Sequence, residues 1–177
     1  MVNLHRKIFN EHLEKGVLLS NKWGVPQFAK KKRFMLKLQN NNGRTELFDP
    51  IRKRWVLFTE EEKVRQYFIH ELINKKIPAS HISIEKQIVI NGMDKRYDIL
   101  VFNKDGTPWI VVECKAPHIK LTQDVVEQVA RYNKILNAEI VGVTNGAEHH
   151  FFKIDYNTDT IHPFDFTGLK LPYHPNL

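Results

Sequence analysis

The run Trp109-Ile-Val-Val-Glu-Cys-Lys115 constrains this chain more than any other stretch of it. Apolar residues in unbroken succession before Glu113 read as a strand covered on both faces. Alternate side chains of a strand share a face, so Glu113 and Lys115 project together while Cys114 points the other way. A second apolar run, Tyr97-Asp-Ile-Leu-Val-Phe102, carries Asp98, and the turn Asn103-Lys-Asp-Gly106 folds the two runs side by side. Two carboxylates and one ammonium are thereby predicted on one largely buried surface, where an unpaired charge is costly. Context matters more than spacing. Asp49 followed by Glu61-Glu62-Lys63 has the same spacing, yet Glu61 and Lys63 open a helical pattern, in which residues two apart point in different directions.

Around these runs the order of elements is legible. With 177 residues, 42% of them hydrophobic, the chain has material for one core. Residues 1–33 show no sustained period and read as an N-terminal arm with at most a short helix around Phe9 to Leu19; residues 34–177 read as a single α/β domain. Phe34 to Gln39 and Arg44 to Phe48 form a hairpin about Asn40-Asn-Asn-Gly43. Thr59 caps a helix whose core stripe is Val64, Phe68 and Leu72 and which stops before Pro78. Strands follow at Ile82 to Ile90, Lys95 to Phe102 and Trp109 to Lys115. A helix over Asp124 to Leu136, capped by Thr122, buries Val125, Val129 and Leu136. Glu139 to Thr144 is a buried strand, Asn145-Gly146 a turn, and His149 to Asp155 a last strand. There is no internal repeat and no GxxxxGK phosphate loop.

The chemistry follows from charge and donor type. Lysine and arginine number 27 against 20 acids, a formal +7, which suits an anionic partner such as nucleic acid as well as it suits a merely basic soluble protein. One cysteine excludes an intrachain disulfide and a multi-cysteine zinc site, consistent with a reducing cytoplasm. The longest apolar run of the first thirty residues, Val17-Leu-Leu19, is too short for a signal peptide or a membrane span, so an unexported protein without a membrane partner is expected. Asp98 and Glu113 side by side raise one another's pKa unless a cation joins them. Oxygen donors select a hard ion, Mg²⁺ or Mn²⁺, which activates a bound water for phosphodiester hydrolysis. The plainer alternative is an ion pair of Lys115 with either acid. Gln128 and Tyr132, four apart, share one face of the second helix; Tyr132 as core and Gln128 as a solvated neighbour is the ordinary reading. Lys30, Lys31, Lys32 and Arg33, and Arg52, Lys53 and Arg54, are candidate phosphate contacts or solvated charge runs. Trp55 is read as a loop anchor, Cys114 as core, and His149-His150 as strand surface; His118 has no assigned role.

Taken together, Asp98, Glu113-Cys-Lys115 and Gln128-x-x-x-Tyr132 resemble the PD-(D/E)xK nuclease superfamily in its Gln-x-x-x-Tyr branch. More narrowly, Glu61-Glu-Lys-Val-Arg-Gln66, Arg96-Tyr-Asp98, Val111 to Pro117, Gln128 to Asn133 and Val143-Thr-Asn-Gly146 are similar to the N-terminal nuclease domain of the type I restriction enzyme R subunit, over roughly Phe34 to Asp155. The resemblance implies a restriction-endonuclease-like mixed β-sheet core (αβββαβ) flanked by helices and a Mg²⁺-dependent deoxyribonuclease acting in restriction, defence or DNA processing. It implies that Asp98 and Glu113 hold the metal with the Cys114 main-chain carbonyl, that Lys115 assists the attacking water, and that Gln128 and Tyr132 position lysine and substrate. It also implies a first-helix glutamate near the metal. Glu62 is the candidate, Glu71 the substitute, and Thr59-x-x-Glu62 is equally a capping box. Tyr97 stands where the superfamily often has proline. The chain carries no motor motifs, so restriction in the type I manner would need other subunits. RNA as substrate, and a catalytically silent module that binds nucleic acid or a partner subunit, are the alternatives.

Overall fold

A computed structural model of the chain describes residues 36–90, 93–158 and 160–169. The arm over 1–33, with Lys30, Lys31, Lys32 and Arg33, lies outside the described residues. The chain first forms a three-stranded antiparallel sheet from β1 (Leu38–Asn41), β2 (Arg44–Asp49) and β3 (Arg54–Leu57). Its first turn is the expected one. Asn42 and Gly43 both take positive φ, 50° and 80°, the paired left-handed conformation that asparagine and glycine tolerate best in a two-residue hairpin. The third strand was not expected, because the sequence around Arg52-Lys-Arg-Trp55 carries too much charge to look like a strand.

Helix α1 (Glu60–Asn74) begins where Thr59 accepts the Glu62 N–H at 3.0 Å. Val64, Phe68 and Leu72 are buried along it as the stripe predicted, joined by Ile69. A six-stranded sheet follows in the order β11-β10-β9-β8-β7-β4, from β4 (Ile82–Ile84), β7 (Ile99–Phe102), β8 (Pro108–Cys114), β9 (Ile140–Thr144), β10 (His149–Asp155) and β11 (Thr160–Pro163). β8 and β9 run parallel, linked by helix α2 (Gln123–Leu136), whereas the other pairs are antiparallel. The fold is thus mixed α/β, with a mixed sheet and flanking helices as expected.

Two long predicted strands are each divided. Ile82 to Ile90 breaks at Glu85 and Lys95 to Phe102 at Tyr97 and Asp98. The pieces beyond the breaks, β5 (Gln87–Ile90) and β6 (Met93–Arg96), pair only with each other. The break has a local cause. Glu85 sits at φ 49°, outside any strand conformation, while its N–H still reaches the Asp98 carbonyl at 3.0 Å. That turn swings the Glu85 carboxylate toward Arg52, Arg65 and Arg96.

The central strand β8 is buried from Trp109 to Cys114, because both faces of the sheet are covered. One face joins α1 through Phe68, Ile99, Val101, Ile110, Val112 and Cys114. The other joins α2 through Leu100, Val111, Val126, Val129 and Val143. Phe151 lies 5.7 Å from Phe68 and 4.6 Å from Phe166, ring centre to ring centre. Gly142 admits this stack, since a Cβ there would stand 2.1 Å from the Phe151 ring. Thr122 precedes α2 but makes no side-chain cap bond; α2 ends at Asn137, in the left-handed conformation at φ 54°.

Candidate active site

The register Ile99↔Val112, continued by one residue, sets Asp98 beside Glu113 at one end of the central strands. Lys115 follows directly, its N–H donating to the Thr144 carbonyl at 2.8 Å, so the three residues of the sequence motif converge. Asp98 and Glu113 are 7% and 8% exposed. Lys115 Nζ donates to Glu113 Oε1 at 2.7 Å. Asp98 is pinned through both oxygens: Oδ2 accepts the Cys114 N–H at 2.7 Å and Oδ1 accepts Arg65 Nη2 at 2.8 Å. The Cys114 thiol faces the α1 core and is fully buried, on the opposite side of the strand from Glu113, as alternation requires.

Electrostatics mark the pair as short of positive charge. Burial, then the neighbouring Asp98, pushes the Glu113 carboxyl up to about 7, although the Lys115 hydrogen bond and charge pull it down. Burial lowers the Lys115 ammonium, but the hydrogen bond and charge of Glu113 outweigh it and the group is raised. Glu61 is raised as well, by its own burial and then by Asp98.

The two glutamates at the start of α1 have different surroundings. Both oxygens of Glu62 are committed to other partners: Oε1 to Arg52 at 2.6 Å and to Gln66 at 2.9 Å, Oε2 to Arg65. Glu62 is therefore a corrected expectation, an ion-pair member that also follows the Thr59 cap. Its neighbour Glu61, whose side chain is 44% exposed, lies by Arg65 at 3.3 Å and within the electrostatic reach of Asp98, Glu113 and Lys115. A sequence signal existed for this. Glu61 stands three residues before Val64 and seven before Phe68, in line with the core stripe that faces the sheet.

Arg52 corrects a second expectation. It is not a free cation for phosphate, because it pairs with Asp49 at 2.5 Å, with Glu62 at 2.6 Å and with Glu85. Lys53 and Arg54 remain exposed. Glu71 is raised by burial, with the charge of Lys75 pulling it down, and no part of the Asp98 cluster acts on it. Gln128 is half-buried on α2, the helix covering the face from which Glu113 projects; the Tyr132 side chain lies outside the described residues.

The joined cluster holds six carboxylates, Asp49, Glu61, Glu62, Glu85, Asp98 and Glu113, against four cations, Arg52, Arg65, Arg96 and Lys115. Among the described residues no group of three or more His, Cys, Asp or Glu side chains is arranged to hold a metal ion. Two carboxylates, a main-chain carbonyl and water nevertheless suit Mg²⁺, which keeps several waters and takes one or two carboxylates. The donor set therefore fits a hard divalent ion. No helix among the described residues is long and apolar enough to cross a membrane.

A family model covers most of the domain. The family model for the type I restriction enzyme R protein N terminus (HSDR_N) matches residues 60–166, from the start of α1 to beyond β11, leaving β1–β3 outside it. Among solved structures, the fragment structure of a putative HsdR subunit of a type I restriction enzyme from Vibrio vulnificus YJ016 is 23% identical, over 60% of this chain, with a TM-score of 0.43. The match spans 23% of that longer chain. A search of curated proteins returns no match. With more than half of its length matched, this chain belongs to the family of the type I restriction enzyme R protein N terminus.

Proposed function

We propose that the chain is a Mg²⁺- or Mn²⁺-dependent nuclease domain that hydrolyses phosphodiester bonds of DNA, in the cytoplasm, within a restriction, defence or DNA-processing system. The observation that carries this reading is the pair Asp98 and Glu113 beside Lys115, at the end of a sheet buried on both faces. Asp98, Glu113 and the Cys114 carbonyl would hold the ion, with Glu61 rather than Glu62 as the carboxylate of α1 nearest to it. When bound, a divalent ion supplies a water acidic enough to attack at neutral pH and charge to steady the phosphoryl oxygens. Lys115 then has two tasks. It favours the ionised form of Glu113 against burial and Asp98, and its remaining protons would face the water or the phosphate. Arg65 and the Cys114 N–H keep the Asp98 carboxylate in one orientation. Gln128, on the helix over the same face, is the residue of α2 that would steady Lys115 or the substrate, together with Tyr132.

DNA as the substrate draws on the family and on the excess of basic residues, and other subunits of such a system are the natural partners. The test is direct. Purified chain is incubated with linear, supercoiled and single-stranded DNA, and with RNA, with and without Mg²⁺ or Mn²⁺. Metal-dependent cleavage that falls by a factor on the order of 10³ in Lys115→Ala supports the nuclease. Calorimetry showing no divalent-ion binding at all, together with no cleavage, sinks it in favour of a binding module.

A further inference from the structure

We propose that Arg65 is a positioning residue that acts as a built-in counter-cation of the metal site: it holds Asp98 in place through Oδ1 and, by its charge, keeps divalent-ion affinity low. The inference rests on the nuclease reading above and concerns a residue to which that reading gives no contact with metal or substrate.

Three observations carry it. Arg65 is buried, with 4% of its side chain exposed, and its two terminal nitrogens serve four carboxylates: Nη1 meets Glu62 and Glu85, Nη2 meets Asp98 at 2.8 Å and Glu61 at 3.3 Å. Its planar fork thus ties the acids of α1 to the metal-ligand candidate on the sheet, a geometry that lysine cannot reproduce. Second, Glu62 is fixed from below. Arg52 and Gln66 both bond Glu62 and both bond Asp49, which is fully buried at the end of β2. A continuous chain of charged contacts therefore runs from the small sheet, outside the family-matched segment, through Glu62 and Arg65 to Asp98. Third, the remaining lone pairs of Asp98 are the ones a metal must use. A carboxylate has about four acceptor sites on its two oxygens, of which Arg65 and the Cys114 N–H take two. An ion can join without displacing Arg65, but it then sits within a few ångströms of a fixed positive charge, where low local dielectric makes the repulsion strong.

Removing that charge and removing that orientation have opposite signatures. Neutralising Arg65 strengthens ion binding and weakens cleavage, whereas a merely structural arginine has no reason to tighten metal binding. The Mn²⁺ dissociation constant of the full chain is measured by calorimetry for wild type, Arg65→Gln and Arg65→Lys. Arg65→Gln is expected to bind Mn²⁺ roughly tenfold more tightly and to cleave more slowly, while Arg65→Lys stays within about threefold of wild type in Mn²⁺ affinity. Because loss of Arg65 can unfold the chain, Mg²⁺ is also titrated into ¹⁵N-labelled wild-type protein. The Arg65 guanidinium resonances are expected to move together with the Cys114 amide. Mn²⁺ binding in wild type that is unchanged or weaker in Arg65→Gln overturns the inference alone, as does a Cys114 shift without one at Arg65. No ion binding to wild type overturns the nuclease reading and this inference with it.

Discussion

Two neighbouring charge clusters share helix α1 and answer the same problem differently. Beneath the small sheet, Asp49, Arg52, Glu62 and Gln66 bond one another: Asp49 accepts the N–H groups of Ile51 and Arg52 at 2.8 Å each, the Arg52 side chain and the Gln66 amide, and only the Gln66 Oε1 of this group is buried without a partner among the described residues. At the sheet end, Asp98 and Glu113 have one lysine and a shared arginine, and Glu113 is driven toward protonation. The charges of the first cluster are paired with one another, whereas the second is left short of positive charge. A buried charge that is paired reports on the fold, whereas one left short reports on what the site is built to hold.

The comparison breaks first at the sheet end. Glu113→Ala removes an acid whose ionised form the fold disfavours, and with it a partner of Lys115, so its circular dichroism and melting in metal-free buffer at neutral pH should stay close to wild type. Cleavage should fall by a factor on the order of 10³ or more, about 4 kcal/mol of transition-state stabilisation. A variant that cleaves normally would place the reaction elsewhere. Asp49→Ala should do the reverse. It leaves Arg52 and Gln66 without their common acceptor in a buried setting and should cost about 3–5 kcal/mol in urea unfolding. A loss below about 1 kcal/mol would show that the two clusters are not distinct in kind.

How much of this was legible depends on how local each cause is. Asp98, Glu113 and Lys115 could be placed from sequence because strand alternation and one short turn fix their relation. The Asn42-Gly43 hairpin and the Thr59 cap were legible for the same reason. Glu61 and Glu62 differ by about 100° around α1, and which of them meets the sheet depends on how the helix docks. The core stripe held that information, whereas the resemblance pointed to Glu62 and the capping-box pattern offered that residue a purely structural reading. Arg52 resisted the sequence entirely. Its partners lie 3, 10 and 33 residues away, and only the folded chain brings Glu85 round at its positive φ. The division of the two long strands turns on the same Glu85, whose positive φ no strand pattern announces.

Acidity sharpens the contrast more gently. The Glu113 carboxyl titrates near 7 in the folded chain against 4.5 ordinarily, so the folded state binds the extra proton between those values. The associated stability is fully present below about 4.5 and is lost as pH rises through about 7. Metal-free protein should therefore weaken between pH 5 and 8, by on the order of 1 kcal/mol, and Glu113→Gln should flatten that slope. Urea midpoints across the range test this. A divalent ion must displace the same proton, so Mg²⁺ affinity should rise with pH to about 7 and binding at pH 6 should release a proton. Calorimetry in buffers of different ionisation enthalpy reads that release, and a slope of the opposite sign would mean Glu113 is ionised throughout.

The smallest effect separates the arginines of the β2–β3 connection. Arg52 is spent on three acids, whereas Arg54 opens β3 with an exposed side chain on the rim of the cleft that also borders Glu61 and Arg65. A cation bound to phosphate releases counter-ions, so Arg54→Ala should weaken binding alike for unrelated DNA sequences. The slope of log affinity against log salt should fall by about one. Its melting temperature should stay within about 1 °C of wild type, since an exposed arginine without an ion pair among the described residues contributes little to the fold. Arg52→Ala should invert both readings, with a clear loss of stability and an unchanged salt slope once only folded protein is counted. If instead the two substitutions lower the slope equally, Arg52 leaves its acids for DNA, and the paired cluster under the small sheet is part of the binding surface after all.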